Sequence, residues 1–329
     1  MNLTKMTGIQ HGEDKSDDDM DVIFAAAASF VLTTVAAQTS ILAVLKRRVR
    51  KRRVGPYRRR TDHTITPLID DDTECRKLLG VPRAVVGLVE TTLLPQIQPR
   101  AGLSVLDQVV TLLVWLWHYP RLSLLSVISG NVGEATTHRV IVEVLDLFVT
   151  SFDSLIRMPA GAAARGRFVL HHSLVGVLDG TALGIRRPTI GQDRFYRGDK
   201  HRHFVSMLIL CDPAGYILWI GVGYPGHNND QANYSSSSLR AWLFAERHKV
   251  LTDGGFFGDE LIRPVIKPDN PLLEYYNNLV QDERAIIEHV NSDIKEFEVL
   301  GSKFRGNRLL LTKAAVAVAI LHNMKVITK

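Results

Sequence analysis

An α/β fold is predicted, with a mixed sheet flanked by helices and, before it, a helical segment of helix-turn-helix type. Three observations carry this prediction. Short apolar runs of strand length appear after residue 168, at Leu174 to Leu178, Phe204 to Leu210, Tyr216 to Val222 and Lys249 to Thr252. Helical periodicity governs Asp71 to Met158 and returns around Asp230 to Glu246, Asp282 to Leu300 and Leu311 to Val326. Three strands, a helix, a fourth strand and a further helix thus follow one another, which is the order of an RNase H-like core. At 329 residues the chain has room for one sizeable core and an accessory domain.

Residues 1–21 are polar and acidic, ending in Asp17-Asp18-Asp19-Met20-Asp21, and are expected to form a disordered tail. Val22 to Leu45 then runs for 24 residues without a charge. As a helix it would be about 36 Å long, against roughly 30 Å for a bilayer core. Ser29, Thr33, Thr34, Gln38, Thr39 and Ser40 dilute it, so a membrane anchor and a buried helix are both open readings. Residues 46–70 form a basic arm and linker. The run Lys46 to Arg53 suits a nuclear-import signal, an arm on the DNA backbone or the cytosolic flank of an anchor. Pro56 and Pro67 mark the linker.

Residues 71–158 are expected to form the helical domain. The uncharged stretch Val109 to Trp117 reads as a core helix. Leu122 to Ile128, then Gly130, then Gly133 to Val140 suggest helix-turn-helix, in which Thr136, Thr137 and Arg139 would face DNA; a plain helical hairpin is the other reading. After a connector of glycine and alanine, residues 168–329 carry the predicted sheet, with Asp212-Pro213-Ala214-Gly215 as a hairpin turn.

Four acids stand at telling places in this order. Asp179 closes the apolar run Val175 to Leu178, and Asp253 closes Val250 to Thr252 in the same way; as neighbouring strands they would bring both carboxylates to one end of the sheet. Glu288 lies on an amphipathic helix whose buried stripe is Ile287, Val290, Ile294 and Phe297. Its polar row is Arg284, Glu288, Asn291 and Lys295. Asp230 opens the helix after the third strand and reads as an N-cap or a fourth ligand. Gathered carboxylates repel one another and hold protons unless a dication sits between them. Hard oxygen donors imply Mg²⁺ or Mn²⁺, which activate water against phosphodiesters. Asp179, Asp230, Asp253 and Glu288 together read as a divalent-metal site.

Composition narrows the alternatives. The ten basic residues of Lys46 to Arg60 leave 30 basic against 34 acidic residues elsewhere, so the overall +6 charge is a local tag. Two cysteines, Cys75 and Cys211, are too few for a disulfide framework or a thiolate zinc cage. The sequence has no phosphate-binding glycine loop, dinucleotide fingerprint, nucleophile elbow or paired CxxC motif.

Beyond these readings, the chain from about Leu78 onward resembles the DDE transposases of the PIF/Harbinger superfamily. The resemblance rests on Val177-Leu178-Asp179-Gly180-Thr181, on Gly223 to Asp230, on Leu251-Thr252-Asp253-Gly254-Gly255-Phe256, on Arg284 to Glu288 and on Leu321-His322-Asn323. It implies an RNase H-like fold, divalent-metal-dependent DNA cleavage with strand transfer, nuclear location, and a Myb/SANT-like companion that contributes DNA binding; by motif it makes Asp179, Asp253 and Glu288 the catalytic triad and Asp230 a further metal ligand. Ala182 departs from a frequent histidine, and Phe256 from a frequent tyrosine. Lys200 and His203 fall where the family often has a basic-His pair, and with Arg284 and Lys295 they are candidates for contact with DNA phosphates. His322 and Asn323 are read as packing residues. The expected function is a metal-dependent endonuclease or transposase acting at transposon ends. The competing readings are a domesticated, non-catalytic DNA- or chromatin-binding protein and a membrane-tethered protein with its C-terminal domain in the cytosol. A homo-oligomer fits either DNA reading.

Overall fold

A computed structural model describes residues 62–329, apart from residues 101, 159–167, 169, 171–172 and 329. The expectations placed on the acidic tail, the apolar run Val22 to Leu45 and the basic run Lys46 to Arg60 lie outside the described residues.

Helices come first, each with a legible start. α1 (Asp72–Leu79) is capped by the Asp71 carboxylate, which accepts the Glu74 amide, and it stops at Gly80 with φ 72°. Gly80 lies flat on Trp117, where a Cβ would collide with the indole. α2 (Arg83–Leu93) follows Pro82. α3 (Val105–His118) opens with a reciprocal capping box between Ser104 and Asp107, and ten of its 14 residues are buried, so it is the central helix of this half. α4 (Leu122–Ile128) and α5 (Glu134–Ser151) are joined by a turn with Gly130 and Gly133 in positive φ.

The sheet is mixed. β1 (Leu174–Gly184) lies between β3 (Arg202–Cys211), antiparallel, and β5 (Lys249–Leu251), parallel. β3 pairs on its other edge with β4 (Ile217–Pro225) and, at its start, with the short β2 (Tyr196–Arg197); β5 pairs in parallel with β6 (Leu261–Ile262). β1 is longer than the sequence suggests. Its pairing with β3 continues from Asp179↔Ile209 to Gly184↔Phe204, so Asp179 sits in mid-strand, and what runs out near it is the ladder to β5. The hairpin turn is as expected: the Asp212 carboxylate accepts the amides of Ala214 and Tyr216, and Gly215 takes φ 80°.

The helix expected over Asp230 to Glu246 is two helices, α6 (Asp230–Ser235) and α7 (Ser238–Ala245). Within the tetraserine, Ser237 ends one and caps the other, accepting the Arg240 amide while donating to the Tyr234 carbonyl. α8 (Pro271–Lys295) begins eleven residues before the expected start, with Asn270 as cap and Pro271 in the first turn. α9 (Glu298–Gly301) and α10 (Arg308–Ile327) complete the chain.

Alternation along the strands splits the core between two faces. Val177, Met207, Ile209 and Cys211 pack with the buried stripes of α3, α5, α8 and α10. Leu178, Leu208, Leu210 and Val250 pack on the other side with Tyr234, Leu239 and Leu243 of α6 and α7. The early helices and the sheet share one core: Trp115 meets Phe304 edge-on, Tyr119 stacks on Phe304 at 5.4 Å, and Trp117 meets Phe297 at 4.9 Å. By length and composition α10 is apolar enough to cross a membrane, but most of its surface is buried within this body.

Candidate active site

Strand register brings the acids together. Val177 of β1 is level with Leu251 of β5, so two residues further on Asp179 and Asp253 come near enough for the Asp253 charge to act on Asp179, which lies on the strand that α8 crosses. One Asp253 oxygen accepts the Gly255 amide at 2.8 Å, an Asx turn that fixes the carboxylate just beyond the strand. Asp179 accepts from the Asn291 amide at 2.7 Å, a contact that ties mid-strand β1 to α8.

Asp230 reaches the cluster from the opposite face. Its role is not that of an N-cap, because Asn229 accepts the Ala232 amide and Asp230 is the first helical residue. Its carboxylate lies directly over the α-carbon of Gly180, so any side chain at 180 would displace it. Neighbouring residues of a strand point to opposite faces, which puts the Asp230 carboxylate across β1 from that of Asp179.

Electrostatics records the crowding. Burial pushes the Asp179 carboxyl up to about 6, the charges of Asp253 and Asp230 push the same way, and the Gly180 amide and Arg284 oppose them. Asp230 is raised by burial and then by Asp253, against Arg197 and Lys200. Lys295 is lowered by burial and by Lys200 and is held charged by Asp179. Three residues of the α8 polar row, Arg284, Asn291 and Lys295, therefore act on Asp179. Glu288, in the middle of that row, is exposed.

Among the described residues, no group of three or more His, Cys, Asp or Glu is gathered closely enough to hold a metal ion. The donor set still fits Mg²⁺ or Mn²⁺, which commonly take one or two carboxylates and complete their shell with water and substrate phosphate. Asp179 and Asp253 would supply that pair, the Asp253 charge acting on Asp179 being what a cation would relieve.

The other candidates scatter. Lys200 lies over the Phe204 ring and His203 packs edge-on to Tyr196, both at the β2–β3 corner beside Lys295. Thr137 is fully buried and its hydroxyl donates to the Gly133 carbonyl, so the expectation that it faces DNA is corrected: its stripe of α5 turns inward with Val140 and Ile141. Arg139, two residues on, is exposed. Asn291 is visible in the sequence only as one member of the polar row; its hydrogen bond to Asp179 depends on how α8 crosses β1. Phe256 is buried edge-on against Tyr234, a packing site in which no hydroxyl is required.

The mixed sheet flanked by helices is consistent with a DDE nuclease fold. Residues 178–323 match the DDE superfamily endonuclease family. It is 27% identical over 186 residues to "Putative nuclease HARBI1" of Homo sapiens, covering 53% of this chain and 51% of that protein. It is 24% identical over 247 residues to "Probable transposase for insertion sequence element IS702" of Microchaete diplosiphon, covering 70% of this chain and 84% of that protein. The chain spans about half the length of the HARBI1 relatives it matches. No solved structure matches it.

Proposed function

We propose that this chain is a divalent-metal-dependent DNA endonuclease, or a transposase that cuts phosphodiester bonds at transposon ends and transfers the strand. The observation that carries this reading is the β1–β5 register that sets Asp179 beside Asp253 under α8. The strand order, with β1 between β3 and β5, supports the RNase H-like assignment.

Asp179 and Asp253 would hold Mg²⁺ or Mn²⁺, with Glu288 on α8 and Asp230 across the strand as the further acids. When bound, the cation supplies a water nucleophile at neutral pH and stabilises charge on the phosphate. The chain's own residues do the rest. Asn291 orients Asp179, the Gly255 amide orients Asp253, and Lys295, Lys200 and Arg284 surround the acids with positive charge that favours a phosphodiester. A nuclear location, a Myb/SANT-like companion and self-association belong to the same reading, the first motivated by the basic run Lys46 to Arg53. Membrane anchoring through Val22 to Leu45 is the alternative location.

Incubated with terminal-repeat DNA, Mn²⁺ and the companion protein, the full chain is expected to cleave. Asp253→Ala should reduce the rate more than about a hundredfold, since even residues that only support a metal ligand typically cost 10–100-fold. Cleavage that survives this substitution counts against the reading.

A second reading, a domesticated DNA- or chromatin-binding protein without turnover, is favoured by the exposed Glu288 and the absence of a tight ligand group among the described residues. Calorimetric titration with Mn²⁺ separates the two: heat of binding that disappears in Asp253→Ala supports the enzyme, and no heat supports the binder.

A further inference from the structure

Three cavities adjoin one another, and the first of them reaches Lys295, the α8 lysine that feels Asp179. The first, about 630 Å³, opens where β1 ends and carries Arg187, Arg202, Lys295 and Lys303. Ile185 and Arg187 also line the second, about 590 Å³, which adds Arg186, Arg305 and Arg308. Arg186, Arg305 and Gly306 continue into the third, about 500 Å³, which adds Arg121 at the corner between α3 and α4 and His138 on α5.

The lining is one-sided in charge. Eight Lys and Arg residues line the three cavities and no Asp or Glu does. Among the described residues, none of the eight forms a salt bridge with an acid. Cations massed without counter-charge repel one another, a cost that an external polyanion would relieve. Arg308 sharpens the point: it occupies the first turn of α10, where the helix dipole disfavours a cation. The series starts at the acids, because Lys295 feels both Asp179 and Lys200.

We propose that these cavities form one continuous groove along which the DNA phosphate backbone runs from the aspartates to the α3–α4 corner, so that the helical segment and the sheet grip the same substrate. The inference rests on the reading of the chain as a DNA-acting protein, and it adds which surface holds the DNA away from the cut. Phosphate contacts fix register without reading sequence, which suits a surface lined by cations without acids.

Anisotropy of a short labelled DNA duplex, titrated with salt in EDTA so that nothing is cut, tests the groove on the full chain. Arg186→Ala/Arg202→Ala/Lys303→Ala removes three exposed groove cations. Lys77→Ala/Arg247→Ala/Lys267→Ala removes three exposed cations elsewhere. The groove variant should flatten the slope of log affinity against log salt by about 2 to 3, at roughly 0.9 for each phosphate no longer neutralised, and the control should leave it unchanged. Arg202→Gln alone, a milder change at an exposed position that reports even if the triple variant misfolds, should flatten the slope by about 0.9, whereas Arg202→Lys should keep the wild-type slope because a phosphate track needs charge rather than the guanidinium fork. Equal slopes in all variants overturn the groove while leaving the DNA reading intact. A wild-type chain that shows no salt-dependent DNA binding overturns both.

Discussion

Asp179 carries a conflict that its neighbours are arranged to contain. Its carboxyl is buried, sits near two other acids, and is pushed up to about 6. In the metal-free protein the folded state therefore holds a proton that the unfolded chain releases near pH 4, so stability should fall as pH rises from about 4 to 6 and then level off. Two pKa units correspond to on the order of 2 kcal/mol once partial solvent screening is allowed for. In EDTA, urea melts across that window should show Asp179→Asn gaining relative to wild type as pH rises. A constant difference between the two proteins would contradict this origin. Asn291 works at the same scale: its amide holds one Asp179 oxygen and leaves the other to the cluster.

At the scale of elements, α10 shows how a helix can be apolar on nearly all sides without meeting lipid. It lies against β4, α5 and α8, and its buried face includes His322 and Asn323. Asn323 completes the start of β4 as a neighbouring strand would, accepting the Ile217 amide at 2.7 Å and donating to the Ile217 and Leu155 carbonyls at 2.8 Å. His322 bonds to the Gly215 carbonyl in the hairpin turn. Asn323→Ala would leave the Ile217 amide and carbonyl unpaired, while the Leu155 carbonyl keeps its bond from the Tyr216 hydroxyl, a loss of ~3 kcal/mol. Thermal melts should show a fall of roughly 6–12 °C, and a shift below about 2 °C would refute the strand-completing role. The closing Leu321-His322-Asn323 motif is thus a structural clamp on the sheet, in keeping with a packing role for both polar residues.

For the molecule as a whole, the helical segment and the sheet behave as one body. Trp115, Trp117 and Tyr119 of the α3 end interlock with Phe297 and Phe304, and Arg305 binds the Tyr119 and Pro120 carbonyls while lying over the Tyr119 ring. Exposing this seam would uncover several aromatic side chains at once, each worth about 2–3 kcal/mol of burial. A chain beginning at Phe168 is accordingly expected to be insoluble or molten, with dye binding and poor amide dispersion. A well-dispersed NMR spectrum from it would show that the sheet folds alone.

The sequence by itself determined four of the six strands, the turn at Asp212 and the order of the acids, because alternation, turn chemistry and short apolar runs are local signals. It also carried the family resemblance, which the match over residues 178–323 bears out. Only tertiary structure decided which acids share a face. The β1–β5 register joins Asp179 to Asp253, the crossing of α8 brings Asn291 to them and leaves Glu288 exposed, and the docking of α6 sets Asp230 across the strand. The basic groove was hidden for the same reason. Its cations run from Arg121 through the end of β1 to Arg308, and no local period links positions that meet only when a helical hairpin, a strand end and a helix start are packed together.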